Sequence, residues 1–239
     1  TPQGYRASTT DALGHTTSWT YDANGNRLTQ AVTRTKADNT TVTETTSYTY
    51  DTENRVTKTT FADGTFTSVV YTSFGKQAAV TDQLGHTTSY TYDARGSLAT
   101  TTYADTTTES SAYDAEGRVI STTDRAGHTT ATTYDALGRA TKVTSADGTF
   151  TSTAYDATSR VTTTTDARGN VTTFGYDNAN RRTSVKNALS ETTTYAYDNV
   201  GNLTSFTDAL NHATSYTYDD RGLRTTVTFP DSTTQLTGF

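Results

Sequence analysis

The sequence has no cysteine, no methionine, one tryptophan (Trp19) and two prolines, Pro2 and Pro230. Zero cysteine excludes disulfides, thiolate nucleophiles and cysteine-ligated zinc together. Leu, Ile, Val and Phe supply only 32 of the 239 residues, and no apolar run approaches the roughly 20 residues that cross a bilayer as a helix. An excess of basic charge is also missing: 19 Lys and Arg stand against 25 Asp and Glu, a net charge of −6. Nothing draws such a chain to phosphate backbones, so nucleic acid is not expected as a partner. With no methionine and no basic-then-apolar leader, the chain is expected to be a processed or excised piece of a longer protein.

What is present in quantity is threonine, at 64 positions, with 16 tyrosines and 16 glycines. Branched and aromatic side chains of this kind favour strands over helices. So little aliphatic surface raises the question of disorder, and the spacing of the turn residues answers it. The dipeptide Tyr-Asp recurs at Tyr21-Asp22, Tyr50-Asp51, Tyr92-Asp93, Tyr113-Asp114, Tyr134-Asp135, Tyr155-Asp156, Tyr176-Asp177, Tyr197-Asp198 and Tyr218-Asp219, with Tyr71-Thr72 in the one gap. From Tyr50 to Tyr218 every step is 21 residues; the first step is 29, which places an eight-residue insertion between positions 31 and 46. Four residues after each tyrosine stands a turn former: Gly25, Asn54, Gly75, Gly96, Gly117, Gly138, Ser159, Asn180, Gly201 and Gly222.

A second turn signal lies about halfway through each unit. It reads as Asp11-Ala-Leu-Gly-His15 or Asp82-Gln-Leu-Gly-His86 in some units and as Ala62-Asp-Gly-Thr65 or Ala146-Asp-Gly-Thr149 in others. Asp-Gly predicts a hairpin in which both central residues take positive φ, and Asp-x-x-Gly a type I turn closed by a left-handed glycine. Two reversals per unit leave about seven residues per strand. Pairs two apart, such as Trp19 and Tyr21 or Tyr90 and Tyr92, lie on one face of a strand. The expectation is an all-β chain, a single array over 1–239: an antiparallel meander of about 22 short strands, a ribbon curled by strand twist into an open shell or solenoid with aromatic rows stacked from repeat to repeat.

Candidate chemistry reduces to structure at this level. His15, His86, His128 and His212 share one turn position in different units, whereas a catalytic base would be singular. The aspartates recur in turns, where they cap backbone amides. Asp22-Ala-Asn24-Gly-Asn26 begins like a calcium loop but lacks the expected glycine and terminal glutamate. No nucleophile elbow, HExxH or phosphate-cradling loop is present, and Ser18, Ser47, Ser89 and Ser215 fall at repeat positions before aromatics. No catalytic, cofactor-binding or metal residues are assigned, and the segment is not expected to be an enzyme.

Tyr113-Asp-Ala-Glu-Gly-Arg-Val119, Tyr134-Asp-Ala-Leu-Gly-Arg139 and Tyr197-Asp-Asn-Val-Gly-Asn-Leu203 resemble the RHS, or YD, repeats. These occur in bacterial RHS proteins, the cocoon components of Tc toxins, wall-associated toxins and teneurins, and the resemblance covers essentially the whole chain. It implies a ribbon spiralling into a hollow shell, a secreted or delivered protein at the cell surface or outside the cell, and partners in flanking cap, core and toxin segments. The Asp-Pro pair of the self-cleaving core found in many bacterial members is absent from these residues. The function so implied is a shell segment enclosing or carrying a C-terminal toxin or effector domain. The alternative is an extracellular fibre or adhesin module, binding glycans through its tyrosine rows or self-associating through its open sheet ends.

Overall fold

A computed structural model describes residues 4–237. Its secondary structure is 22 β-strands, with no helix among the described residues. The chain divides between Gly127 and His128 into two units. In the first, β1 (Ser8–Thr10) to β11 (Val119–Thr123) form a meander, each strand antiparallel to its neighbours in sequence. In the second, β12 (Thr129–Tyr134) to β22 (Thr234–Leu236) do the same. This is the all-β antiparallel meander expected from the spacing.

The reversals are more uniform than the sequence suggests. In Asp51–Arg55, the Asp51 N–H donates to the Arg55 carbonyl and the Asn54 N–H to the Asp51 carbonyl; in Phe61–Thr65 the Phe61 and Gly64 amides make the same two bonds. The fourth residue of each turn is left-handed, Asn54 at φ 62° and Gly64 at 85°. The Asp-Gly turns therefore differ from expectation: Asp63 and Asp147 do not take positive φ, and only the glycine does. A type I turn followed by one left-handed residue serves both sequence signatures. Because each such turn consumes five residues, strands such as β15 (Val161–Thr165) and β16 (Val171–Tyr176) hold five and six rather than about seven.

The eight-residue insertion lengthens one hairpin without disturbing its faces. β3 (Arg27–Thr35) and β4 (Thr41–Tyr50) have nine and ten residues, four more each than their counterparts. An even increment keeps every side chain on its original face, whereas an odd one would invert the alternation.

Neither unit closes around a core. Among the described residues Val227, 6% exposed, is the buried hydrophobic one. The accessible surface of 15363 Å² is about half as much again as the roughly 10,000 Å² of a globular monomer of this mass. Stability must come from backbone ladders, turn hydrogen bonds and side-chain contacts between neighbouring strands. Threonine suits this role: Thr49 with Thr57 and Thr217 with Thr225 join hydroxyls across strands at 3.0 and 2.9 Å.

Candidate functional site

The Tyr-Asp turns lie at places where the sheet needs help. In β16 and β17 (Arg182–Lys186), the hairpin around Asp177, the register slips beside Tyr176, which pairs with Arg182 while Gly175 pairs with Ser184. The same bulge recurs beside Tyr21, Tyr50, Tyr113, Tyr134, Tyr155, Tyr197 and Tyr218. On the other side of such turns, pairing between consecutive units stops three residues short of the tyrosine. β15 and β16 pair only from Thr163↔Thr173 to Thr165↔Val171, so toward the Tyr-Asp end the strands part and backbone groups lose their ladder partners.

The motif tyrosine closes that fork. Tyr176 Oη donates to the Val161 carbonyl at 2.9 Å, fifteen residues back. Tyr92 reaches Gln77, Tyr113 reaches Leu98, Tyr155 reaches Ala140, Tyr197 reaches Arg182 and Tyr218 reaches Leu203, at 2.8–3.1 Å. Tyr50 and Tyr21 make the corresponding bonds to Arg27 and Arg6. Burial pushes the Tyr50 phenol above its ordinary pKa.

The motif aspartate holds the turn. Asp177 Oδ1 accepts the N–H groups of Ala179 and Arg181, both at 2.9 Å, and Oδ2 accepts Arg181 Nε at 2.7 Å. The Arg181 backbone N–H is the main cause holding the Asp177 carboxyl below the usual range; for Asp135 it is the Arg139 side chain. Where Thr72 replaces aspartate, its Oγ1 accepts from the Phe74 and Lys76 amides at 3.3 and 3.1 Å. Gly96, Gly117, Gly138, Gly201 and Gly222 supply the left-handed position, with φ from 77° to 106°.

The residue in fifth position, which sequence reasoning left without a role, ties one turn to the next. Arg160 Nε donates to Asp156 Oδ2 at 2.6 Å, its Nη1 to the Asp177 carbonyl at 2.9 Å and Asn180 Oδ1 at 3.0 Å, and its Cζ lies 4.9 Å from the Tyr176 ring centre. Arg139 does the same with Asp135, Asp156, Ser159 and Tyr155. Arg55 lies 4.3 Å over Tyr71, and Arg181 lies 4.7 Å over Tyr197. Apart from Tyr5, which stacks on Tyr21 with ring centres 5.0 Å apart, the expected stacking of rings from repeat to repeat is replaced by this arrangement. Tyrosines 21 apart sit two strands away, about 9.6 Å, beyond ring-to-ring contact at about 4.5–7 Å, and one guanidinium plane fits between. The signal was the arginine that comes directly after the left-handed residue in several units, at Arg55, Arg118, Arg139, Arg160 and Arg181.

The remaining candidates also face their own turns. His15, His86 and His212 place Nδ1 2.9–3.1 Å from Asp11, Asp82 and Asp208, the place that arginine takes in the Tyr-Asp turns. The Asp22 carboxylate accepts from the Asn24 and Asn26 amides and from Asn26 Nδ2. Among the described residues, no group of three His, Cys, Asp or Glu could hold a metal ion, and no helix is long and apolar enough to cross a membrane.

The profile of the family described as RHS Repeat matches residues 4–41, 71–108, 113–149, 155–192 and 197–234. No curated protein matches the chain. Among solved structures, the crystal structure of TcdB2-TccC3 is similar at 19% identity and a TM-score of 0.43, covering 98% of this chain and 16% of that one. The Tc holotoxin pore of Photorhabdus luminescens is similar at 15% identity and a TM-score of 0.40, covering 90% of this chain and 14% of that one. A porin-like protein from Bacteroides uniformis is similar at 17% identity and a TM-score of 0.22, covering 88% and 86%. The chain spans at most 16% of the Tc structures it matches.

Proposed function

Because the chain belongs to the RHS repeat family, we propose that it is a segment of wall: a structural stretch of a secreted or delivered protein that encloses or carries a C-terminal toxin or effector domain. The observation that carries this reading is where the motif residues spend their chemistry. The Tyr176 hydroxyl bonds back to the Val161 carbonyl of the neighbouring strand, the Asp156 carboxylate bonds its own turn, and the Arg160 guanidinium bonds its own turn and the next. Groups used in this way hold a sheet together and are not poised to turn over a substrate, so we infer a mechanical role and no enzymatic one. A sheet with both faces hydrated and stabilised by neighbour contacts can extend by adding units, which a closed core cannot.

The experiment is protease protection in the full-length protein. The domain that follows the array is expected to resist a protease that digests the same domain expressed alone. Equal digestion rates would remove the enclosing role. A second reading, glycan binding, rests on a cleft of about 400 Å³ where Phe74, 90% exposed, stands beside Tyr90 and Tyr92. Alanine at Tyr90 and Tyr92 would then lower retention on a glycan array, and unchanged retention would dismiss it.

A further inference from the structure

Along the Tyr-Asp edge, side chains from most turns are inserted against the next. Arg139, Arg160 and Arg181 do so with a guanidinium that donates to the carbonyl of the following aspartate, at 3.1, 2.9 and 2.7 Å. Lys76 donates to the Gly96 carbonyl and lies 5.1 Å over Tyr92. Where Ser97 holds the fifth position, Arg95 from the third donates to the Asp114 and Ala115 carbonyls. Asn26 is short, but Asn54 meets it: Nδ2 donates to Asn54 Oδ1 at 2.6 Å.

Asn202 breaks the series. Its Nδ2 donates to Asp198 Oδ2 at 2.9 Å, within its own turn, and the position facing it is Gly222, which has no side chain to reach back. A Cβ built on Gly222 would lie 3.8 Å from Asn202 Oδ1. Between the two turns is an open cleft of about 530 Å³ lined by Asp198, Asn202, Tyr218, Asp219, Asp220 and Gly222. Three carboxylates line it, and two cations stand near them. Arg221, 71% exposed, pairs with Asp219 at 2.8 Å. Arg224, 5.7 Å over Tyr216, leans on the neighbouring ring. The carboxylates do not form an oxygen cage for a metal ion, because Asp198 Oδ1 is taken by the Val200, Gly201 and Asn202 amides.

We propose that this cleft is a binding site for a guanidinium group, delivered by an arginine side chain of another polypeptide segment. The group lies over the Tyr218 ring, donates to the Asp219 carbonyl and faces the Asp198 and Asp220 carboxylates. It thereby reproduces what Arg160 does at Tyr176 and Asp177. The preference is for arginine over lysine, because the equivalent contacts use a flat cation stacked on a ring while donating in its own plane. The site does not depend on the wall reading.

The test titrates the 15N-labelled 239-residue chain with Nα-acetyl-arginine methylamide and with its lysine and citrulline counterparts. Saturable shifts are expected at the Asn202, Asp219 and Gly222 amides. The arginine compound should bind at least about fivefold more tightly than the lysine compound, and neutral citrulline should give no saturable shift. Asn202→Arg supplies the guanidinium from within the chain, as in the other units, and is expected to abolish those shifts. No saturable shift, equal response to citrulline, or undiminished binding by Asn202→Arg would overturn the site. Sedimentation distinguishes the donor. Self-association lost in Asn202→Arg makes it a second copy of this chain; monomers in both assign the arginine to a different polypeptide.

Discussion

The guanidinium of Arg160 is held between Asp156, 2.6 Å from its Nε, and the ring of Tyr176, whose centre is 4.9 Å from its Cζ. A residue of one repeat thus completes its own turn and supports the next at the same time. Coupling of this kind is nearest-neighbour by construction, and substitutions should act locally.

Arg160→Ala is expected to lower stability, with the cation–ring contact alone contributing about 0.5–1 kcal/mol. Arg160→Lys should recover only part of the loss, since an ammonium cannot hold three acceptors in one plane. Hydrogen exchange should show lost protection confined to β15, β16 and the flanking turns. A uniform loss through the whole second unit would contradict neighbour coupling.

Tyr176→Phe keeps the ring beneath Arg160 and removes the bond to the Val161 carbonyl. A cost of about 0.5–1.5 kcal/mol is expected, smaller than that of Tyr176→Ala, which loses both contacts. Urea midpoints of the two variants measure the difference. Equal midpoints for Tyr176→Phe and the native chain would show that the hydroxyl does not close the fork.

Acid should unfold the chain in a defined direction. The turn carboxylates of Asp51, Asp93, Asp135, Asp177 and Asp219 all sit below the ordinary aspartate range, held down chiefly by hydrogen bonds from their own turns. A group whose folded pKa is depressed stabilises fully above its unfolded pKa and loses that contribution as pH falls through the folded value. Strand signal in circular dichroism should therefore resist denaturant equally well at pH 7 and pH 5, and progressively less below about pH 4. A midpoint unchanged between pH 5 and pH 2 would refute the role assigned to these carboxylates.

The left-handed turn position gives a pair of opposite outcomes. Thr106 is β-branched at φ 69°, a conformation that costs such a residue about 1–2 kcal/mol. Thr106→Gly should raise the thermal midpoint despite the extra chain entropy of glycine. Gly96→Ala should lower it, because φ is 84° and the new Cβ would meet Lys76 Cε at 3.2 Å. Shifts of the same sign in both would refute the strain argument.

Much of this architecture is local, and local structure is written in the residues themselves. Each reversal is decided within five residues, by an aspartate, asparagine or threonine that bonds back to its own amides and a fourth residue that tolerates positive φ. The number of strands and their antiparallel order follow from counting those turns, and the eight-residue insertion was visible as a longer step. The type of turn at Ala62–Thr65 was not, because Asp-Gly satisfies two geometries and the sequence does not choose between them.

What the tertiary structure decided is everything that depends on which turn lies beside which, and how far away. Tyrosines spaced 21 apart look like a stack until two strand widths separate them; only then does Arg160 become the filler and Tyr176 the clasp on Val161. Asn202 reads as one more polar turn residue until Gly222 is found facing it. Sequence spacing fixes distance along the chain, but contact is governed by distance across the sheet, and pairing sets the second.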